Sequence, residues 1–246
     1  RSLVDRLCRA RTLAVRILTM ADNDPQVLEL ETGPDPVYSI IFLHGLGADC
    51  RDFETLPNML DLPAGVPIRF VLPDAPMRPI TINNGMVMRG WYDIGFDIDR
   101  GLCPEGLEDS ARMMRTLLDR EEQRGVPAEH ILLGGFSQGG AVSLYLGLRY
   151  EKTLGGIIGL STYMPATQLF AAESHRANQH TPIFLAHGLH DPVLALQLAE
   201  SSRDLLSEQG YAVNWHTYPM PHSLCQEEVT DLSAWLGRIL NESPSA

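Results

Sequence analysis

The sequence lacks the features that would place it in several large classes of protein. No stretch approaches the roughly 20 consecutive apolar residues that a membrane-spanning helix needs, so stable membrane insertion is not expected. The four cysteines, Cys8, Cys50, Cys103 and Cys225, stand far apart. They show no paired spacing of a disulfide framework or a zinc site, and read as reduced thiols of a cytoplasmic protein. Basic residues are outnumbered, 19 against 31 acidic ones, for a net charge of −12. Nucleic acid and anionic membrane surfaces need Lys and Arg to neutralise phosphate, so both are disfavoured, and a neutral or cationic partner fits better. Internal repeats and low-complexity segments are also missing. What remains is a chain of 246 residues, 44% hydrophobic, long enough to bury a full core as one domain.

The most informative stretch runs from His130 to Val142. Ile131-Leu132-Leu133 is too short for a helix and continuous enough for a strand buried on both faces. Gly135-Phe136-Ser137-Gln138-Gly139 then matches G-x-S-x-G. A sharp strand-to-helix turn strains the middle residue, and side chains two positions to either side would clash, so glycine stands at both. Ala141, Leu144, Tyr145 and Leu148 recur at helical spacing, which puts Ser137 just before a helix N-terminus with its hydroxyl exposed. A serine in a small Gly-rich turn is also common in folds where it does nothing, so partners are required.

Residues 1–19 hold five arginines, one aspartate and no lysine. Leu3, Leu7, Ala14, Ile17 and Leu18 share one helical face, and the segment is expected to lie outside the domain, which spans 20–246. Its arginines interrupt any secretory core. An organellar transit segment fits the composition, and a natural start at Met20-Ala21 fits better. Val27 to Glu31 alternates as a half-buried edge strand does, and Val37 to Leu43 reads as a buried strand ending in His44-Gly45-Leu46-Gly47. Asp49 is placed to cap a helix with Phe53, Leu56 and Leu60 inward. Ile68 to Leu72 is a strand. Between Asp74 and Arg100 lies a long irregular excursion carrying Met86, Met88, Trp91, Tyr92, Ile94 and Phe96, suited to a pocket wall or to a hairpin packed on the core. Pro104 opens a helix with Leu107, Met114, Leu117 and Leu118 inward, closed by Gly125. Strands at 154–160, 182–187 and 212–218 alternate with helices at 196–209 and near the C-terminus, with an irregular crossover over 161–181. This alternation predicts an α/β fold: a mostly parallel central sheet, helices on both faces, ligands at the carboxyl ends of the strands.

Where such a serine is a nucleophile, an acid and then a histidine follow it in the chain. Asp191 lies just beyond one predicted strand and His222 just beyond the next. Asp204 falls inside a helix and His216 inside a strand, so both are weaker candidates. His187, His190 and Asp191 hint at a metal, but no third kind of ligand accompanies them and the reading is set aside.

Taken together, His44-Gly-Leu-Gly47, Trp91-Tyr-Asp93, Gly135-Phe-Ser-Gln-Gly139, His187-Gly-x-x-Asp191 and the late histidine resemble the carboxylesterase, phospholipase and acyl-protein thioesterase family of small serine α/β-hydrolases, over about residues 37–240. The resemblance implies a catalytic triad of Ser137, Asp191 and His222, an oxyanion hole from the N–H groups of Leu46 and Gln138, and an acyl site built by Trp91, Tyr92 and Phe96. It implies hydrolysis of short-to-medium acyl esters through an acyl-enzyme, with an acyl-protein thioesterase or lysophospholipase as the alternative on the same site. No cofactor is required and no metal is expected; a homodimer is compatible with the sequence. Pro221 stands before the histidine where glycine is usual, which stiffens the loop that aims it. A non-catalytic binding protein would keep the pocket without a competent triad, and a dienelactone-hydrolase-like enzyme would carry cysteine in place of Ser137.

Overall fold

A computed structural model describes residues 13–19, 26–95 and 103–241. Eight strands form one sheet: β1 (Ala14–Thr19), β2 (Gln26–Glu31), β3 (Tyr38–Leu43), β4 (Ile68–Pro73), β7 (Ile131–Phe136), β8 (Gly156–Leu160), β9 (Ile183–Gly188) and β10 (Val213–Tyr218). Their spatial order is β1-β2-β4-β3-β7-β8-β9-β10. The pairings of β2 with β1 and with β4 are antiparallel and the rest are parallel. A separate hairpin joins β5 (Met77–Ile80) to β6 (Met86–Arg89). The helices are α1 (Leu56–Met59), α2 (Leu107–Gln123), α3 (Gln138–Gly147), α4 (Thr167–Glu173), α5 (Leu196–Glu208) and α6 (Gln226–Asn241).

Successive strand residues point to opposite faces, and the core divides accordingly. Ile41 and Leu43 of β3 pack with α2 and α3, while Ile40 and Phe42 pack with α1 and α6. Every residue of α3 is buried, so the helix after Ser137 is held by the core on all sides. The Leu107, Met114, Leu117 and Leu118 face of α2 is buried as the spacing predicts, and Gly125 ends the helix region at φ 92°. No described helix is long and apolar enough to cross a membrane.

Four expectations change. Ala14–Thr19 is a strand paired with β2, not one face of a helix, so the sheet reaches into the segment placed outside the domain. Val15 and Ile17 are β-branched and alternate with Arg16, a period that suits a pleat. Met20-Ala21 and Phe96 lie outside the described residues. The segment 27–31 is not an edge strand, because β1 and β4 flank it and Val27 to Leu30 are all buried. Glu29 tolerates that burial because Arg120 of α2 and Arg124 just beyond its end meet its carboxylate at 2.6 and 2.7 Å. Asp49 organises a turn, accepting the Arg51 N–H at 2.8 Å, and only Leu56–Met59 is helical beyond it. The 161–181 crossover, read as irregular, contains α4. The excursion after Asp74 holds the β5–β6 hairpin, in line with one of its two readings.

Candidate active site

Ser137 sits between β7 and α3 with φ 53° and ψ −121°, a strained backbone that aims its side chain away from both elements. The flanking glycines are sterically required. A Cβ on Gly135 would lie 2.5 Å from the Gly139 carbonyl carbon, and one on Gly139 would lie 2.4 Å from the Leu43 oxygen. The turn is pinned by the Ser137 N–H donating to Leu160 and by the Thr162 hydroxyl donating to the Ser137 carbonyl.

The neighbouring strand ends bring the other candidates to it. Asp191 follows β9 and His222 follows β10. His222 Nε2 lies 2.9 Å from Ser137 Oγ, and its Nδ1 lies 2.6 Å from Asp191 Oδ2. The remaining carboxylate oxygen accepts the Val193 and Leu194 N–H groups, each at 2.8 Å. Burial works to raise the Asp191 pKa and is the largest single influence. The hydrogen bonds from Leu194, His222 and Val193 together outweigh it and hold the carboxyl below its ordinary range. Pro221 does not misdirect the loop: its carbonyl accepts the Ser223 N–H, and the turn seats on Gly188, where a Cβ would meet the Met220 oxygen at 2.4 Å.

Two further histidines shape the site without joining it. His44 is buried; its Nε2 accepts the Ala75 N–H at 3.0 Å, so Nδ1 carries the hydrogen donated to the Gly45 carbonyl at 2.7 Å. Burial lowers its pKa and keeps it neutral, fixing the 44–47 loop. That loop lies against Ser137, since a Cβ on Gly45 would be 3.5 Å from Ser137 Cβ. His187, also lowered chiefly by burial, puts Nε2 3.0 Å from the Leu194 carbonyl and 3.4 Å from Asp191 Oδ2. It supports the acid's turn, while His190 is exposed. The sequence offered His187 as a metal candidate and as part of the His187-Gly-x-x-Asp191 motif, but gave it no role in holding the acid; its place at the end of β9, next to the Asp191 turn, was the signal for one.

Trp91 and Tyr92 require correction. Both are 0% exposed and cannot wall a groove open to substrate. Trp91 donates its N–H to Gln138 Oε1 at 2.7 Å and its indole N–H to the His44 carbonyl at 2.8 Å. Gln138 Nε2 donates to the Tyr92 carbonyl at 2.7 Å, and the Tyr92 and Tyr163 hydroxyls are 2.9 Å apart. Trp91 thus ties the 44–47 loop, through its indole, to the start of α3, through its backbone N–H, while the Tyr92 ring is held by Tyr163. The competitors fall away from Ser137: His216 stacks on Phe184 and approaches Asp231, and Asp204 pairs with Arg203. Among the described residues one further cluster has metal-ligand types, Asp49, Cys50 and Asp74. Asp74 is engaged there by Arg89 at 2.9 Å, and burial raises the Cys50 thiol to about 12, which keeps it protonated.

A serine, a histidine and an ionised acid in hydrogen-bonded series, at the carboxyl ends of three parallel strands of a mostly parallel sheet, define an enzyme: a serine hydrolase with the α/β-hydrolase fold. The Phospholipase/Carboxylesterase family model matches residues 29–240, and the chain belongs to that family. It is 39% identical over 212 residues to acyl-protein thioesterase 1 of Gibberella zeae, covering 82% of this chain and 90% of that one. It is 41% identical over 209 residues to acyl-protein thioesterase 1 of Neurospora crassa, covering 80% and 85%. Among solved structures it is similar to Arabidopsis thaliana SOBER1, with TM-score 0.76, 28% identity, and 83% of this chain and 99% of that chain covered.

Proposed function

We propose that Ser137, His222 and Asp191 are the catalytic triad of an enzyme that cleaves short-to-medium acyl esters and thioesters, with acylated proteins as its physiological class of substrate. The observation that carries this reading is the unbroken series from Ser137 Oγ through His222 to an Asp191 held ionised. The two named relatives at about two-fifths identity, both acyl-protein thioesterases, favour the thioester.

His222 Nε2 takes the hydroxyl proton as Ser137 Oγ attacks the acyl carbonyl carbon. Asp191 accepts from Nδ1–H, which fixes the tautomer and stabilises the imidazolium that forms. The N–H groups of Leu46 and Gln138 are the proposed donors to the oxyanion, and Trp91 holds the 44–47 loop and the start of α3 in place. The tetrahedral adduct collapses, and His222 passes its proton to the departing alcohol or thiol. Water then attacks acyl-Ser137 with His222 again as base, releasing the carboxylic acid and restoring the serine.

The test is a set of specificity constants for p-nitrophenyl esters from acetate to laurate beside one acyl thioester, below any aggregation concentration. Both classes are expected to react, because the oxyanion donors recognise the carbonyl more than the leaving group. Turnover confined to aggregated lipid would make the protein an interfacial lipase and overturn the reading.

A further inference from the structure

An apolar groove of about 290 Å³ opens at His222. Phe53, Leu56, Met59, Phe136 and Leu224 line it with His222, and Asp52 is its one charged wall. Its base is firm: Phe53 and Leu56 are buried, and the Phe136 ring lies 4.7 Å from the His222 ring and 6.2 Å from that of Phe53. Met59 stands half exposed at the mouth.

The proton path decides which half of a substrate belongs there. The acyl chain starts at the carbon bonded to Ser137, beside Leu46 and Gln138, and none of those three residues lines the groove. The departing atom, by contrast, must lie within hydrogen-bond reach of His222 Nε2 to receive its proton. A groove walled by His222 and not by Ser137 therefore adjoins the departing side. We infer that it is a leaving-group subsite, which takes the apolar body of the alcohol or thiol released from the acyl group. With Asp52 as its charged wall and a chain of net charge −12, it favours neutral or cationic leaving groups over anionic ones.

The inference rests on the triad reading, and the test separates the two. Butyrate esters and thioesters with leaving groups from ethyl to hexyl probe one side. Ethyl esters and ethyl thioesters from acetate to octanoate, whose leaving group is too short to fill the groove, probe the other. In the wild type, kcat/KM rises by up to about fourfold for each leaving-group methylene taken into the groove, until it is full. Met59→Asp lowers the hexyl substrates about tenfold and leaves the ethyl substrates and the acyl series unchanged. Met59→Trp, which fills the groove, acts in the same direction. Deacylation is the decisive readout, since acyl-Ser137 has already lost its leaving group: hydrolysis of the butyryl-enzyme is unaltered by either variant. Hexanol added as acceptor captures the wild-type acyl-enzyme better than ethanol does, and loses that advantage in Met59→Asp. A flat leaving-group series in the wild type overturns the inference. So does a Met59→Asp effect confined to acyl-chain length or deacylation, which would assign the groove to the acyl chain. Failure of the triad reading shows elsewhere, as full activity of Ser137→Ala with every substrate.

Discussion

Two buried carboxylates flank the His222 loop in sequence and end in opposite states. Asp191, beyond β9, has a side chain 0% exposed, and so has Glu228 in the first turn of α6. Asp191 receives two backbone N–H groups and the His222 imidazole, and stays below the ordinary carboxylate range. The Glu228 carboxylate makes no hydrogen bond of normal geometry, and the Cys225 backbone amide approaches it only weakly. Burial pushes its pKa up to about 8, with the Cys225 backbone amide drawing it only partly back. Burial and donors act together here: Asp191 as a whole residue is only partly buried and receives three donors, whereas Glu228 is fully buried and receives almost none. The site thus keeps a charge where the proposed mechanism forms an imidazolium, and α6 keeps a neutral acid.

The largest effect separating the two acids is on turnover. Asp191→Asn removes the acceptor that fixes the His222 tautomer, and kcat is expected to fall about 10⁴-fold with the fold intact. Glu228→Gln, measured alongside, leaves kcat within about twofold. Equal losses in both variants would erase the distinction.

The next effect is on stability, and its sign is opposite for the two groups. A raised acid binds a proton in the folded state that the unfolded chain has already lost. Glu228 therefore makes stability fall as pH rises from about 4.5, its ordinary value, through about 8. Asp191, depressed, contributes stability that is present above its ordinary 3.8 and lost as pH falls below it. Denaturant unfolding across this range should show Glu228→Gln gaining about 3 kcal/mol at pH 8 and flattening the slope between pH 5 and 8. A variant no more stable than wild type at pH 8 would mean that Glu228 is ionised without penalty. The smallest effect sharpens the comparison from outside the site. His216 lies 3.4 Å from Asp231, an acid–histidine pair with no serine attached, and His216→Ala should change turnover by less than about twofold.

Sequence reading succeeded where the constraint is local. The elbow declares itself because Gly135 and Gly139 exclude a Cβ by direct contact with backbone, and strand ends announce Asp191 and His222 because chain order and sheet order are linked. It missed what depends on distant packing. Trp91 and Tyr92 are equally apolar as groove walls or as struts, and only the Gln138 side chain, remote in sequence, tells which. Glu29 looks solvent-facing until Arg120 and Arg124, at the C-terminal end of α2, reach its carboxylate. Glu228 resembles any acid in a helix's first turn, where negative charge is favourable, and its burial comes from the tertiary packing around that turn. The groove at His222 joins residues 53–59 to 222–224, a pairing no periodicity reveals.

The central claim, that Ser137 is a nucleophile activated by His222 and Asp191, is tested most directly by covalent labelling with a fluorophosphonate and mass mapping of the modified peptide. A single adduct on Ser137 is expected. It should be absent from Ser137→Ala and formed far more slowly in His222→Ala, whereas His216→Ala labels at the wild-type rate. Labelling of Ser137→Ala to the wild-type extent, or an adduct mapped to any other residue, would contradict the claim.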